Sequence, residues 1–176
     1  MFSKVTSPSL YNTISEVYNN AHKEVEVYNL KCPYCGGKAH LRDYGFIYPN
    51  TKHTGNVYVC ENFPKCDSYV GCHPNTTKPL GRLANKSLRH LKAKAHEYFD
   101  PLWRNKCFDS SKSLNKNRSL AYKWLATELN LTESQCHIGK FDTDTCRKII
   151  KLCKSKQKEF GLYNETSMFS KGYKRY

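Results

Sequence analysis

The sequence predicts an α+β chain, a small antiparallel β module set between one N-terminal helix and a C-terminal helical region. Three observations carry that reading. Paired cysteines fall at Cys32/Cys35 and Cys60/Cys66, short β-type runs fill residues 31–72, and a 3.6-residue hydrophobic period takes over from Asn85. Taken in order, Ser7-Pro8 reads as an N-cap and first helical position, and Leu10, Ile14, Val17, Tyr18 and Ala21 place an amphipathic helix over 9–22. Val25, Val27 and Tyr28 read as a strand leading into the first cysteine pair. Leu41, Phe46-Ile47-Tyr48 and Val57-Tyr58-Val59 read as further β pieces, with a polar turn over 51–56 and a Pro/Thr-rich connector over 74–79.

After Asn85, Leu88, Leu91, Ala95 and Tyr98 or Phe99 form one helical stripe. Asp100-Pro101 reads as a cap and first position opening a separate short helix through Trp103. Residues 107–117 read as a loop, and Leu120, Trp124, Leu125 and Leu129 mark the next helix. Thr132 to Gln135 fit a capping box, and Asp142 caps a last helix carrying Cys146, Ile149, Ile150 and Cys153. The expected division is 1–30 lead-in, 31–77 β module, 78–160 basic helical region and 161–176 flexible basic tail.

Composition narrows the function classes. Twenty-nine Lys and Arg stand against 15 Asp and Glu in 176 residues, for a net charge of +14. Residues 78–123 hold twelve of those bases and only three acids, so the charge lies mainly just after the cysteine pairs. That excess predicts a polyanionic partner, nucleic acid first. No apolar run approaches the roughly 18–20 residues of a membrane span, and Met1 to Thr6 open without an apolar signal region. A cytoplasmic protein with no membrane partner is the expectation.

Nine cysteines at uneven spacing, without a secretory context, favour a metal site over a disulfide framework. Cys32-Pro-Tyr-Cys35 offers two thiolates from one tight turn, with Gly36-Gly37 supplying backbone freedom, and Cys60 and Cys66 offer two more. Cys72 and His73 follow closely enough to be alternates. Four thiolates leave no open coordination position, so one structural zinc ion is expected. A redox reading of Cys-x-x-Cys would need a βαβ context, which the pattern lacks.

Cys32-Pro33-Tyr34-Cys35-Gly36-Gly37, followed by Tyr58-Val59-Cys60 and Pro64-Lys65-Cys66, resembles the C-terminal zinc ribbons of type IA DNA topoisomerases. The resemblance covers about 40 residues and implies binding of single-stranded DNA, rather than RNA, without strand cleavage. A longer pattern resembles a family of small zinc-finger-containing proteins found mainly in phages and prophages. It includes Ala95-His96, Phe99-Asp100-Pro101-Leu102-Trp103, Ala121-Tyr122, Trp124-Leu125 and His137-Ile138-Gly139. It implies a phage-encoded protein acting in the host cytoplasm.

Three functional constellations follow. Arg82, Lys86, Arg89, Lys92, Lys94 and Arg104 form a candidate phosphate track, and Tyr48 and Phe63 are candidate base-stacking rings. Together they predict non-catalytic, zinc-dependent binding of single-stranded or structured DNA. As an alternative, the same basic surface fits a host protein partner such as RNA polymerase or a replication or defence enzyme. A second alternative is metal-dependent nuclease chemistry, for which His96, Asp100 and His137 are the candidate residues. Leu125 to Thr132 also has a weak helix-turn-helix rhythm with Asn130 at the turn.

Overall fold

The computed structural model describes residues 27–162 apart from Thr51 and His53. The helix expected over 9–22, Val25 and the tail beyond residue 162 lie outside them. The fold is α+β, as the sequence predicts. Four antiparallel strands, β1 (Leu30–Lys31), β2 (Lys38–Asp43), β3 (Asn56–Cys60) and β4 (Tyr69–Gly71), pair in the order β1-β2-β3-β4. Three helices follow, α1 (Lys86–Arg104), α2 (Leu114–Leu129) and α3 (Thr143–Glu159).

Strand β3 is one of the two inner strands of the sheet, and every residue from Val57 to Cys60 is buried. Its register with β2 pairs Ala39 with Cys60 and Leu41 with Tyr58. That register brings the β1–β2 and β3–β4 turns to the same end of the sheet. The fully buried Tyr58 closes the small core with Cys32, Cys60, Val70 and Leu83, and its hydroxyl accepts a hydrogen bond from the Tyr28 backbone N–H at 2.8 Å.

The β reading of residues 46–48 is corrected. Tyr44–Phe46 form a 3-10 turn, because the Asp43 carboxylate accepts the Gly45 N–H at 2.7 Å and caps it. Conversely, β4 is not among the β runs legible in the sequence, and residues 74–79 are more than a connector. The chain turns through His73–Lys78 and runs back along β4, pairing Cys72 with Pro79 and Tyr69 with Ala84. The sheet therefore reaches Ala84, one residue before the cap of α1.

Asn85 caps α1 by accepting the Leu88 N–H at 2.9 Å. Leu88, Ala95, Tyr98, Phe99 and Leu102 form its buried face, as their spacing dictates. Asp100-Pro101 does not open a new helix. Pro101 sits inside the last turn of α1, and Asp100 accepts from the Trp103 indole instead of capping backbone. Helix α2 begins earlier than expected, at Leu114. Ser113 caps it, and the fully buried Asn117 bridges back to the backbone N–H and C=O of Asp109 at 3.1 and 2.7 Å, fixing the preceding loop.

Asn130 ends α2 in the left-handed conformation, at φ 52°. The Thr132/Gln135 side chains do bond to one another, but they close a turn and a short 3-10 segment, Ile138–Lys140, rather than a helix. No helix directly follows the Asn130 turn, so the helix-turn-helix rhythm does not become that motif. Asp142 caps α3 by accepting the Thr145 N–H, and Cys146, Ile149, Ile150 and Cys153 face the core. Tyr98 and Leu102 of α1, Leu125 of α2, Ile138 and Ile149 belong to that second, larger core.

The two cores meet at Leu83 and Ala84. Backbone contacts reinforce the junction: Arg82 N–H donates to the Gly139 carbonyl at 3.2 Å, and the Lys92 ammonium donates to the same oxygen at 2.6 Å.

Candidate metal centre

Each cysteine pair sits on its own hairpin turn. In the first, the Cys32 N–H bonds the Gly37 carbonyl at 2.8 Å and the Gly36 N–H bonds the Cys32 carbonyl at 3.0 Å. Gly36 takes φ +74°, which an L side chain rarely adopts, and this explains the glycine after Cys35. In the second, the Phe63 N–H bonds the Cys60 carbonyl and the Cys66 N–H bonds the Asn62 carbonyl, at 3.0 and 2.9 Å. Glu61 staples the two turns together: its N–H donates to the Lys38 carbonyl at 2.8 Å and its carboxylate accepts the Lys38 N–H at 2.9 Å.

The four sulfurs converge. Cys32 Sγ lies 3.6 Å from Cys66 Sγ, Cys35 Sγ lies 3.3 Å from Cys60 Sγ, and all four fall within 4.8 Å of one another. A tetrahedral zinc ion with bonds of about 2.3 Å to sulfur needs sulfurs roughly 3.8 Å apart. The donor set fits in number, softness and spacing. Among the described residues no other group of His, Cys, Asp and Glu side chains converges this way. The alternates do not join it: the Cys72 thiol points to the Thr77 carbonyl at 3.4 Å, and His73 is exposed.

The surroundings treat the four thiols unequally. Cys35 is exposed, and the Asn62 amide at 3.3 Å, with the Gly37 N–H and Cys60, pulls its pKa down to about 6. Burial would raise Cys32, yet the backbone N–H groups of Tyr34 and Cys35 and the Ser68 hydroxyl hold it below the usual thiol value. Burial pushes Cys60 up to about 12. Cys66 is also raised, even though the Ser68 hydroxyl at 3.3 Å favours its thiolate. Two thiols are thus preset toward the anion, and the positive charge of a divalent cation would drive the other two to ionise.

The remaining predicted site residues are dispersed. Phe46 is 52% exposed and packs on Phe63 at 5.9 Å, with the Arg42 guanidinium 5.6 Å from the Phe46 ring. Phe63 and Lys65 border a shallow depression beside Cys35 and Cys66. Tyr48 is 41% exposed but stacks on Tyr44 and bonds the Tyr69 hydroxyl.

The basic track is corrected. Arg89 donates to the carbonyls of Asp67 and Ala84 at 2.7 and 2.6 Å, pairs with the Asp67 carboxylate at 3.2 Å, and stacks on Tyr69 at 3.9 Å. Lys92 is tied to Gly139, and burial lowers its pKa to about 8. Both join the ribbon to the helices and turn their donors inward. Arg82 is half-buried, whereas Lys86, Lys94 and Arg104 are exposed. Lys86 and Arg104 lie about five helical turns apart on one outward face, and Lys94 lies about 80° round the helix from it.

His96 and Asp100 do meet, at 3.4 Å, one helical turn apart. His137 instead packs beside Tyr122, with ring centroids 5.2 Å apart, and the three do not converge into a metal-holding cluster.

Four thiolates on two hairpin turns of a curled antiparallel sheet define a zinc ribbon, here extended by a three-helix unit. The chain belongs to the family of zinc-finger-containing domains, whose sequence pattern matches residues 28–156. No curated protein and no solved structure matches the chain.

Proposed function

We propose that this protein binds nucleic acid without catalysis, favouring single-stranded or structured DNA, with the zinc ribbon as a rigid stacking platform. The observation that carries the reading is the exposure of large rings on a ribbon with a core too small to use them. Phe46 and Tyr34 are 52% and 42% exposed, and Arg42 lies against Phe46. Exposed rings flanked by cations suit base stacking with phosphate neutralisation. Stacking weight falls on Phe46 and Phe63 rather than Tyr48, whose ring and hydroxyl are engaged by Tyr44 and Tyr69. Lys86, Lys94 and Arg104 provide the outward phosphate contacts on α1. The resemblances to topoisomerase ribbons and to the phage-encoded family support single-stranded DNA as ligand and a role in a host cytoplasm.

Salt dependence tests this. With four to six phosphate contacts, log K against log salt should slope by roughly −3 to −4 for a single strand. Lys86→Ala with Lys94→Ala should flatten it by about 1.4. Phe46→Ala should cost about 1–3 kcal/mol in affinity with the slope unchanged. Failure of the zinc-loaded protein to bind any DNA or RNA at low salt overturns the reading and turns attention to an acidic host protein.

A further inference from the structure

The four sulfurs of the metal centre are not equally reachable. Cys32 and Cys60 are each 2% exposed and Cys66 is partly buried, whereas Cys35 is exposed, as no other cysteine of the chain is. Cys35 opens onto the shallow depression that Asn62, Phe63, Pro64 and Lys65 line from the facing turn. Phe63 packs with Phe46 at 5.9 Å, so the exposed sulfur and the rings assigned to stacking share one patch. A single side-chain amide guards the sulfur: Asn62 Nδ2 donates to Cys35 Sγ at 3.3 Å. Gly37 makes room for that amide. A Cβ there would stand 2.9 Å from Asn62 Nδ2 and 2.6 Å from Glu61 Oε1, which accounts for the second glycine after Cys35.

A thiolate that holds zinc is still a nucleophile, and access decides which of the four meets a dissolved electrophile first. That one is Cys35. Its neighbour Cys60 stands 3.3 Å away, sulfur to sulfur, but is shut off from solvent. Cys60 therefore cannot meet an oxidant directly, yet it is placed to attack a Cys35 sulfur that has already been oxidised. Cys32 faces Cys66 instead, at 3.6 Å, and neither of those two is exposed.

We propose that Cys35 is an oxidation site: a hydroperoxide enters the metal centre there past Asn62, Cys60 closes the disulfide, and a strand stacked on Phe63 shields the pair. In the first step the Cys35 thiolate attacks one peroxide oxygen, the O–O bond breaks, and the other oxygen takes a proton and leaves as water. Cys35 is then a sulfenic acid. In the second, the Cys60 thiolate attacks that sulfur, the S–O bond breaks, and hydroxide takes a second proton and leaves as water. The two sulfurs together lose two electrons, and the peroxide gains them. Two thiolates remain where four are needed to hold the ion. The depression is built on the same two turns, so retention of zinc and retention of a strand reinforce one another. The shielding rests on the nucleic-acid reading proposed above; the order of the sulfurs rests on exposure and spacing alone.

The test treats full-length, zinc-loaded protein with hydrogen peroxide, following zinc release with a metallochromic indicator and disulfides by peptide mass mapping. The first disulfide to accumulate should join Cys35 to Cys60, in step with the release of zinc. A first disulfide that lacks either residue, or zinc release with Cys35 unmodified, overturns the assignment. Asn62→Ala removes one hydrogen bond from the sulfur and should speed zinc release about fivefold. An unchanged rate overturns the guarding role of Asn62. Oligothymidylate at ten times its Kd leaves about a tenth of the protein free and should slow zinc release about tenfold. An oligonucleotide that binds without slowing the release overturns the shielding. Absence of any binding overturns the nucleic-acid reading and the shielding together, and leaves the Cys35–Cys60 order to stand on the peroxide result.

Discussion

Gly81→Ala tests how the ribbon is fastened to the helices. A Cβ built on Gly81 would stand 2.1 Å from the Gly139 carbonyl oxygen and 2.4 Å from its carbon. Both are backbone atoms, so no side chain can swing aside, and the two segments must part by about 1 Å to reach ordinary contact. That displacement lengthens two bonds to the same oxygen, from the Arg82 N–H at 3.2 Å and the Lys92 ammonium at 2.6 Å. A neutral bond contributes about 1 kcal/mol and a charged one about 1.5–3, and overpacking adds about 1–3. Alanine returns about 0.4–1 kcal/mol by restricting the unfolded chain. The net expectation is a loss of about 2.5–6.5 kcal/mol, out of the roughly 5–15 typical of a domain.

Urea unfolding with excess zinc, followed by tryptophan fluorescence, measures the loss. Trp103 and Trp124 both lie in the helical part, so their signal reports the far side of the junction. Gly71→Ala is the control: its Cβ would meet only the Leu80 Cδ1, at 3.6 Å. It should change stability by under about 1 kcal/mol. A Gly81→Ala loss no larger than that of Gly71→Ala would refute the idea that this backbone crossing couples the two cores.

Three further outcomes are expected. Elemental analysis should find one zinc per chain, and Cys60→Ser or a strong chelator should dismantle the sheet, because Cys32 and Cys60 are each 2% exposed and belong to its core. Arg89→Lys should destabilise the fold by about 1–3 kcal/mol in thermal melts while leaving the salt slope of DNA binding unchanged, since a lysine cannot reproduce two carbonyl bonds, the Asp67 pair and the Tyr69 stack. Alkaline pH should weaken the fold. Burial raises Cys136 and Cys146 to about 11 and Cys153 to about 12, so their stabilising share is whole below the unfolded thiol value near 8.5 and drains away as pH climbs toward 11–12. Lys92, lowered to about 8, acts in the opposite sense between pH 8 and 10.5, but one lysine opposes three thiols. Denaturant melts from pH 8 to 10.5 should therefore show falling stability, with a shallower fall in Cys153→Ala.

The sequence made the sheet's closure legible because the chemistry leaves few alternatives. Four thiolates at two close spacings can meet only if two turns face each other, and the β2–β3 register does bring those turns to one end. The stripe of α1 and the Asp142 cap were equally readable, since both are local patterns that the packing did not override. Asp100-Pro101 misled because α1 runs through Pro101 to Arg104 despite the lost N–H bond: the buried Leu102 continues the core-facing stripe past it, and Asp100 accepts from the Trp103 indole rather than from backbone.

Sequence spacing failed most completely at the basic residues, where charge alone cannot say whether a cation faces solvent or its own chain. Arg89 and Lys92 carry the same formal charge as Lys86 and Lys94, yet the first pair holds the ribbon to the helices and the second faces outward. Their positions on α1 decide it. Arg89 and Lys92 lie on the flank of the buried stripe that looks toward Asp67 and Gly139, where the carbonyls of Asp67, Ala84 and Gly139 line the seam between two cores. A seam made of backbone carbonyls needs donors that can reach across it, and long cationic side chains satisfy it without adding a polar residue to either core. Part of the +14 charge is therefore structural, and the surface left to meet a polyanion is narrower than composition suggests: the outward face of α1 and the ribbon's aromatic edge beside Arg42.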